Sequence, residues 1–261
     1  MKTRSNVWVL FTLGGVLVIA TTLLLCSAIP AKSFKTTQLE FERVKDAYEE
    51  KETVTQKLFS DKGLTINQSE IFLRVFKKEK QLELWAKEKG ANKTFQLLKT
   101  YKICSASGEL GPKRKLGDYQ VPEGFYVINR WNPVSNFHLS LGINYPNASD
   151  RILSDKKHPG DDIFIHGNCV SIGCMAMTDP MIKEIYIAFV EAKNAGQGLV
   201  PVHIFPSKLN DSSWDSLQVT TLDDPSLLAF WKNLKPGYEW FENKKTLPKV
   251  SVDTKGRYSF Q

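Results

Sequence analysis

The chain has 261 residues, of which 42% are hydrophobic and 24% are charged, the composition of an ordinary folded protein. This length leaves room for one medium domain with additional segments, or for two small domains. The formal net charge is +7, but lysine and arginine are scattered among aspartate and glutamate. Because there is no long basic block, the charge does not indicate a nucleic-acid-binding protein.

The amino terminus carries the first strong signal. Lys2 and Arg4 precede an uncharged, apolar stretch over residues 7–29. As a helix this stretch would be roughly 34 Å long, enough to span a hydrocarbon core of about 30 Å. Positive charge on its amino side directs the rest of the chain out of the cytoplasm. We therefore predict a membrane anchor over residues 1–33, with a signal peptide cleaved near "CSA" as the alternative.

Three cysteines follow this segment, at positions 104, 169 and 174. An odd number of cysteines cannot all pair within one chain, so at least one thiol is free or serves another purpose. The count favours a reactive thiol but does not say which cysteine carries it.

Residues 34–68 are rich in charge, with apolar residues near helical spacing, and they predict a juxtamembrane helix. This helix either stands as a stalk or packs on the domain that follows. From residue 69 the pattern changes to short strands: "IFLRVF", "LELWAK", "TFQLLKTYKICSA", "FYVINRW", "FHLSLGI" and "DIFIHG". A long loop, "SGELGPKRKLGDYQVPEGF", separates the third strand from the fourth, and such loops commonly carry function.

The clearest helix begins just after the last of these strands. Asp179 is the expected N-cap, Pro180 takes the first helical position, and Gly196 ends the helix. A strand, "LVPVHIFP", a second helix starting at "DPSLL" and an extended tail complete the chain. The sequence thus predicts a mainly β protein with helices, of the α+β class, with a domain over residues 69–206 and a packed extension over 207–261.

The stretch "HGNCVSIGC", residues 166–174, concentrates the chemistry. His166 ends a predicted strand, and Cys174 lies five residues before the expected N-cap, so a short loop can hold both side chains on one face. A cysteine attacks as the thiolate and needs a neighbouring base, which an imidazole supplies. Gly173 leaves the backbone open, so its N–H and that of Cys174 are candidate donors to an oxyanion. These residue types fit cysteine–histidine acyl transfer.

Other interpretations of the same residues remain open at this point. His166, Cys169 and Cys174, with His158 as a fourth ligand, could hold zinc, but their spacing matches no common zinc pattern and we predict no metal. Cys169 could form a disulfide with Cys174 or with Cys104, and the second pairing is compatible with a catalytic Cys174. Each thiol could also be buried as a small hydrophobic side chain.

The stretch "IHGNCVSIGCMAMTDP" resembles the signature of the L,D-transpeptidase catalytic domain family (YkuD type), in a branch with a short loop between histidine and cysteine. The positions that match the family's motif are His166, Gly167, Ser171, Gly173 and Cys174. "GDYQVPEGFYVINRWNP" is similar to the family's Gly-x-x-x-Thr-Pro-x-Gly-x-Phe segment, and the resemblance covers roughly residues 69–261.

The resemblance implies a β-sandwich with a helix after the cysteine, and an enzyme that acts on peptidoglycan stem peptides outside the cytoplasmic membrane without a cofactor. It implies that Cys174 is the nucleophile, that His166 is its base and that the carbonyl of Gly167 orients the imidazole. Ser171 and His138 are substrate-binding candidates; for His138, simple packing in a half-buried sheet is the alternative.

The family's reaction passes through a thioester that is resolved by an amine, which forms a crosslink, or by water. We predict a transpeptidase; the alternatives are an L,D-endopeptidase or an amidase that releases wall-linked protein, and a non-catalytic wall-binding protein. Ile172 stands where most of the family has a second histidine, and Ala176 where arginine is common, so the roles of those side chains are absent here.

Three further groups of residues are expected to be structural. His203 is predicted to pack in its strand. Lys113, Arg114 and Lys115 are expected to form a solvated turn, with steering of anionic stem peptides as the alternative. The aromatic residues near the carboxyl terminus are expected to be core rather than a glycan-stacking surface: Trp231, Tyr238, Trp240 and Phe241.

Overall fold

A computed structural model of the protein describes residues 32–90 and 93–261. The predicted apolar anchor, residues 7–29, lies outside the described residues, so its fate stays a prediction. Within the described ranges no helix is both long enough and apolar enough to cross a membrane.

The described chain contains ten strands and six α-helices. The strands are β1 (Ser69–Phe76), β2 (Gln81–Glu88), β3 (Gln96–Lys102), β4 (Gly124–Ser135), β5 (His138–Ile143), β6 (Phe164–His166), β7 (Met175–Ala176), β8 (Val200–Phe205), β9 (Val250–Val252) and β10 (Tyr258–Phe260). The helices are α1 (Phe34–Gln38), α2 (Glu42–Ser60), α3 (Ala148–Leu153), α4 (Asp179–Asn194), α5 (Asp211–Thr220) and α6 (Pro225–Lys244). Each strand predicted from alternation is therefore confirmed.

Eight of the strands form one sheet in the order β3-β2-β1-β8-β4-β5-β6-β7, and β9 pairs with β10 as a hairpin. Neighbours are antiparallel except for β1 with β8 and β6 with β7, which are parallel. The α+β class is confirmed: eight strands lie in one continuous sheet with helices, and the arrangement of that sheet as a sandwich stays a prediction. The sheet is continuous because β8 returns after α4 and bonds to β1 on one side and to β4 on the other.

Helices and loops cover both faces of this sheet. Along β1, side chains alternate between the two faces: Ile71, Leu73 and Val75 join the core that α4 covers, whereas Phe72 and Phe76 join clusters on the other face. A strand that is buried on both faces reads as a nearly continuous apolar run, as "IFLRVF" does.

Helix α4 follows the cysteine motif, as predicted, but its N-cap is Thr178 rather than Asp179. Asp179 is the first helical residue, and its carboxylate accepts the N–H of Asn168 at 2.7 Å instead of capping the helix. The carboxylate therefore serves the loop between His166 and Cys174. Gly196 follows the helix with φ +93°, a conformation that glycine adopts readily.

The carboxyl-terminal helix α6 runs through Pro236, although a proline in a helix interior usually ends or kinks the helix. Its apolar face packs into the sheet's second core, and Gly237 makes that contact close: a Cβ there would lie 2.5 Å from ring carbons of Phe125 and Phe260. Trp231, Tyr238 and Phe241 are buried, which confirms them as core residues. The short helices α3 and α5 were not predicted.

His203 is buried among aromatic rings, with the centroids of Phe72 and Phe125 each 4.6 Å from its own. Burial, followed by the nearby positive charge of Arg74, lowers the pKa of His203 to about 3. The side chain is therefore neutral and packs in the core, as predicted.

Helix α2 packs on α4 and is not a free stalk. Val44, Ala47 and Phe59 are buried in the same core as the sheet, and the Tyr48 hydroxyl donates to Glu191 Oε1 at 2.9 Å. The segment over residues 34–68 thus contributes to the hydrophobic core. The proposed boundaries at 68/69 and 206/207 stay predictions.

This packing makes α2 necessary for stability. Replacing Phe59, which is 1% exposed, by alanine should lower the free energy of unfolding by about 3–5 kcal/mol because it leaves a cavity. Val54→Ala on the same helix is the control; its side chain is 44% exposed and its loss should cost within about 0.5 kcal/mol. Denaturant unfolding measures both, and equal small effects would show that α2 is not part of the cooperative fold.

Candidate active site

The parallel pair β6 and β7 places the two predicted catalytic side chains. Ile165 lies opposite Met175, so Phe164 lies beside Cys174, and its N–H donates to the Cys174 Sγ at 3.4 Å. Successive side chains of a strand point to opposite faces. His166 and Cys174 therefore project from the same face, two residue pairs apart, with the Ile165–Met175 pair between them.

Both side chains line one cleft of about 690 Å³. Its other walls come from the long loop before β4, the turn between β4 and β5, the segment that leads into β6 and the loop between the histidine and the cysteine. These residues are Lys113, Leu116, Gly117, Tyr119, Phe137, Asp161, Asp162, Ile163, Phe164, Val170, Ser171, Ile172 and Gly173. Large apolar side chains stand exposed around it, and Ile172 is 81% exposed. The sulfur and the imidazole thus lie at the base of an apolar-rimmed cleft.

His166 is buried, with its ring packed against Phe137 at a centroid distance of 4.7 Å. The ring Nδ1 lies 2.7 Å from the carbonyl oxygen of Gly167. A carbonyl only accepts, so Nδ1 carries the hydrogen and Nε2 is left as the acceptor. Burial lowers the pKa of His166 despite the opposing effect of this hydrogen bond. At neutral pH the ring is a neutral base.

Cys174 is the free cysteine of the described chain. Burial raises the pKa of its thiol above the usual range, while the Phe164 N–H and the charge of Lys113 act in the opposite direction. The resting side chain is therefore a thiol. In this conformation the described contacts do not include a hydrogen bond between Cys174 and the imidazole. Catalytic hydrogen bonds often shorten only when substrate binds.

The backbone before Cys174 is held by Ser171. Its hydroxyl donates to the carbonyl oxygen of Cys174 at 2.6 Å and accepts the N–H of Gly173 at 3.2 Å. Gly173 has φ +128°, which L side chains rarely adopt. Ser171 lines the cleft, but its bonds fix the turn at the cysteine. The Gly173 N–H, a predicted oxyanion donor, is engaged with Ser171 in this structure.

Gly167 has no room for a side chain. A Cβ would lie 2.6 Å from Asp179 Oδ1 and 3.0 Å from the Cβ of His138. Its N–H is shared between the carbonyl oxygens of Phe137 and Leu139, at 3.0 and 3.2 Å. Because it lacks a side chain, Gly167 can lie against β5 and α4. Its carbonyl oxygen is then in position to hold the His166 ring.

His138 lies close to Gly167 but is not among the residues that line the cleft. It has φ +69°, its Nε2 is buried without a described partner, and burial lowers its pKa despite the charge of Asp179. Its role as a substrate-binding residue stays a prediction, and its position gives that role no support.

A disulfide joins Cys104 to Cys169, with the two Cα atoms 5.3 Å apart. This is the pairing that leaves Cys174 free, and it removes Cys169 from the zinc site considered above. Among residues 32–90 and 93–261 there is no cluster of three or more histidine, cysteine or acidic side chains able to hold a metal ion.

The disulfide also reinforces β7. Ala176 exchanges backbone hydrogen bonds with Ser105, and its carbonyl oxygen also accepts the Cys104 N–H at 2.8 Å. The segment at 104–105 therefore continues the sheet beyond β7. The two-residue strand next to Cys174 is held on both edges.

The position of Lys113 differs from the prediction. It was expected in a solvated turn, yet it is 5% exposed and lines the cleft. The sequence feature that could have indicated this burial is Asp118, five residues later, because its carboxylate pairs with the Lys113 Nζ at 2.5 Å. Phe137, which packs on the imidazole, was also not identified as a site residue.

Loss of the disulfide should destabilise the fold strongly. The two cysteines are 65 residues apart in sequence, and closing a loop of that length corresponds to about 4 kcal/mol in the chain-entropy model. We expect the double variant Cys104→Ser/Cys169→Ser to lose about this much free energy of unfolding. Reductant should lower the midpoint of the wild type and leave the double variant unchanged; a reductant effect on neither protein would contradict the prediction.

Comparison with known proteins places the chain in a family. The model of the L,D-transpeptidase catalytic domain (YkuD) matches residues 70–204. A protein of Escherichia coli (strain K12) named "Putative L,D-transpeptidase YafK" is 40% identical over 192 residues, which cover 73% of each chain. The crystal structure of the helical cell shape determining protein Pgp2 from Campylobacter jejuni has 18% identity and a TM-score of 0.42, covering 71% of this chain and 73% of that one. The structure of Bdellovibrio bacteriovorus Bd1075 has 21% identity and a TM-score of 0.39, covering 73% and 79%. On the family match and the YafK identity, the chain belongs to the L,D-transpeptidase catalytic domain family.

Proposed function

We propose that this protein is a cysteine-dependent L,D-transpeptidase that acts on peptidoglycan stem peptides through a thioester. The observation that carries the proposal is the placement of a free thiol, Cys174, and a buried neutral imidazole, His166, on one face at the base of one cleft. The chain's membership of the family supplies the substrate class.

The first half of the reaction forms the thioester. His166 Nε2 accepts the proton of the Cys174 thiol, and the sulfur attacks the carbonyl carbon of the L-configured centre of the donor peptide. A C–S bond forms and the carbonyl oxygen becomes an oxyanion. When this intermediate collapses, the C–N bond breaks, and the departing D-amino acid takes the proton from the imidazole.

The second half of the reaction resolves the thioester. An amine of a second stem peptide attacks the same carbonyl carbon, gives up its proton to the imidazole, and displaces the sulfur, which regains that proton. With water as the attacking group, the same steps would cleave a crosslink or release a wall-linked protein instead. Transfer and hydrolysis therefore share the site and differ in the second reactant.

The oxyanion needs donors that are aimed at it before it forms. We propose the backbone N–H groups of Cys174 and Gly173 for this role, with Gly173 changing partner from the Ser171 hydroxyl to the substrate oxygen. Ser171 then stabilises the resting turn and releases one donor during reaction. The Gly167 carbonyl keeps the imidazole tautomer that leaves Nε2 free to accept.

We propose an extracytoplasmic location, with the amino-terminal segment as anchor or signal. The Cys104–Cys169 disulfide supports it, because such bonds persist in oxidising compartments.

Activity should depend on the nucleophile and not on the disulfide sulfurs. We expect Cys174→Ala to abolish both product formation from defined muropeptides, weighed by mass spectrometry, and covalent labelling by a thiol-reactive carbapenem. Cys104→Ser/Cys169→Ser is the control; wherever it remains folded it should still be labelled. Labelling that survives Cys174→Ala would show that the nucleophile is another residue.

The products also separate the candidate functions. New muropeptide dimers from the wild type indicate transfer, whereas shortened or separated peptides without dimers would replace our proposal by the hydrolase. Binding of muropeptides without any product or labelling would favour the non-catalytic wall-binding protein.

The pH dependence should report the buried base. The imidazole accepts a proton only when it is neutral, so kcat/KM should rise as the pH increases through the pKa of His166. Burial lowers that pKa below its ordinary value of 6.5, so the midpoint of the acid limb should lie below pH 6.5. A midpoint above this value would contradict the lowered pKa that burial gives the His166 ring.

A further inference from the structure

Lys113 is an unusual side chain for its position in a long polar loop. It is 5% exposed, yet it lines the cleft that holds Cys174. Its Nζ donates to Asp118 Oδ1 at 2.5 Å and to the carbonyl oxygen of Lys115 at 3.1 Å. Gly160 makes room for it: a Cβ at that glycine would lie 2.3 Å from the Lys113 Cε. The ammonium is therefore held in one place beside the cleft.

The charges around Cys174 make this lysine distinctive. Among the residues that line the cleft, Lys113 is the sole lysine or arginine, and the lining also includes two acids, Asp161 and Asp162. Arg130 pairs with Asp162, so that arginine's charge is already balanced. The remaining titratable groups of the cleft are the His166 imidazole and the Tyr119 phenol. Lys113 is thus the fixed positive charge that this wall of the cleft offers to a thiolate.

We propose that Lys113 is a positioning residue that stabilises the thiolate of Cys174 by its charge. The proposal rests on the proposed function, in which that thiolate is formed. A buried charge acts more strongly than an exposed one because little water screens it. The charge matters most at the moment when the proton leaves the sulfur, since burial otherwise disfavours the thiolate.

Asp118 provides a way to separate this effect from mere loop support. Its carboxylate accepts backbone N–H groups from Arg114, Lys115 and Gln120 in addition to the lysine. Burial alone would raise the pKa of Asp118. These hydrogen bonds lower it, and the bond from Lys113 has the largest effect among them. Asp118 is therefore an anion at neutral pH and offsets part of the lysine's field at the sulfur.

Two roles for Lys113 therefore predict different signs. If the lysine acts by charge, removing its charge must raise the thiol pKa, whereas removing the opposing charge of Asp118 must lower it or leave it unchanged. If the lysine only ties the loop, breaking the pair from either side loosens the same loop and shifts Cys174 in the same direction.

The test is the rate at which iodoacetamide alkylates Cys174 in the full chain, followed across pH by peptide mass spectrometry. We expect Lys113→Met and Lys113→Gln to raise the apparent pKa of Cys174 by about half a unit, which slows alkylation about threefold at neutral pH. Lys113→Arg should retain the wild-type rate. Asp118→Asn should alkylate as fast as the wild type or faster.

Equal shifts in the same direction for Lys113→Gln and Asp118→Asn, or an unchanged pKa in a folded Lys113→Gln, would overturn the proposal. The glutamine retains a donor for the Lys115 carbonyl, so it covers the case in which the methionine variant does not fold. Thermal melting identifies the folded variants. Because alkylation needs no peptidoglycan, its outcome is independent of whether the muropeptide assay shows transfer.

Discussion

Strand β7 has two residues and pairs with the three-residue strand β6, and the positions of the thiol and the imidazole depend on that parallel pair. So short a strand contributes few ladder hydrogen bonds of its own. It is held because the segment at 104–105 pairs along its other edge and the Met177 N–H donates to the His166 carbonyl oxygen at 2.7 Å. The disulfide and the Asp179 carboxylate then fix the intervening loop at Cys169 and Asn168. The geometry at the sulfur is thus imposed by its neighbours.

Burial determines the electrostatics of this site. It raises the pKa of the Cys174 thiol and lowers that of the His166 imidazole, so both groups are neutral at rest. In the proposed mechanism, proton transfer between them creates two charges where little water is available to solvate them. The site must therefore supply solvation from its own groups, and it has the Phe164 N–H, the Gly167 carbonyl and the Lys113 ammonium for that purpose.

Local sequence patterns predicted the features that depend on neighbouring residues. Alternation gave the strands, and Asp-Pro and glycine signals gave α4 and the start of α6. The thiol–imidazole pair followed from a nine-residue stretch and from the family resemblance.

Features that depend on residues distant in the chain were not predictable in this way. The cystine partner of Cys169, the packing of Lys113 against Gly160 and the continuous sheet through β8 arise from contacts between segments far apart in sequence. Ser171 was recognised by position, but its bonds to Gly173 and Cys174 are visible only in three dimensions.

The two halves of the proposed reaction depend on different parts of the cleft. Thioester formation uses groups at its base, where His166 is 2% exposed and the backbone at Gly173 is fixed by its φ angle and by Ser171. In the proposed reaction the second reactant passes the exposed apolar side chains of Val170 and Ile172, which offer it no hydrogen-bond partner. The same cleft is also lined by Tyr119, Asp161 and Asp162, whose polar groups can contact an amine or a water. Transfer, as proposed above, then relies on a second peptide that packs against the apolar side chains and places its amine at the thioester.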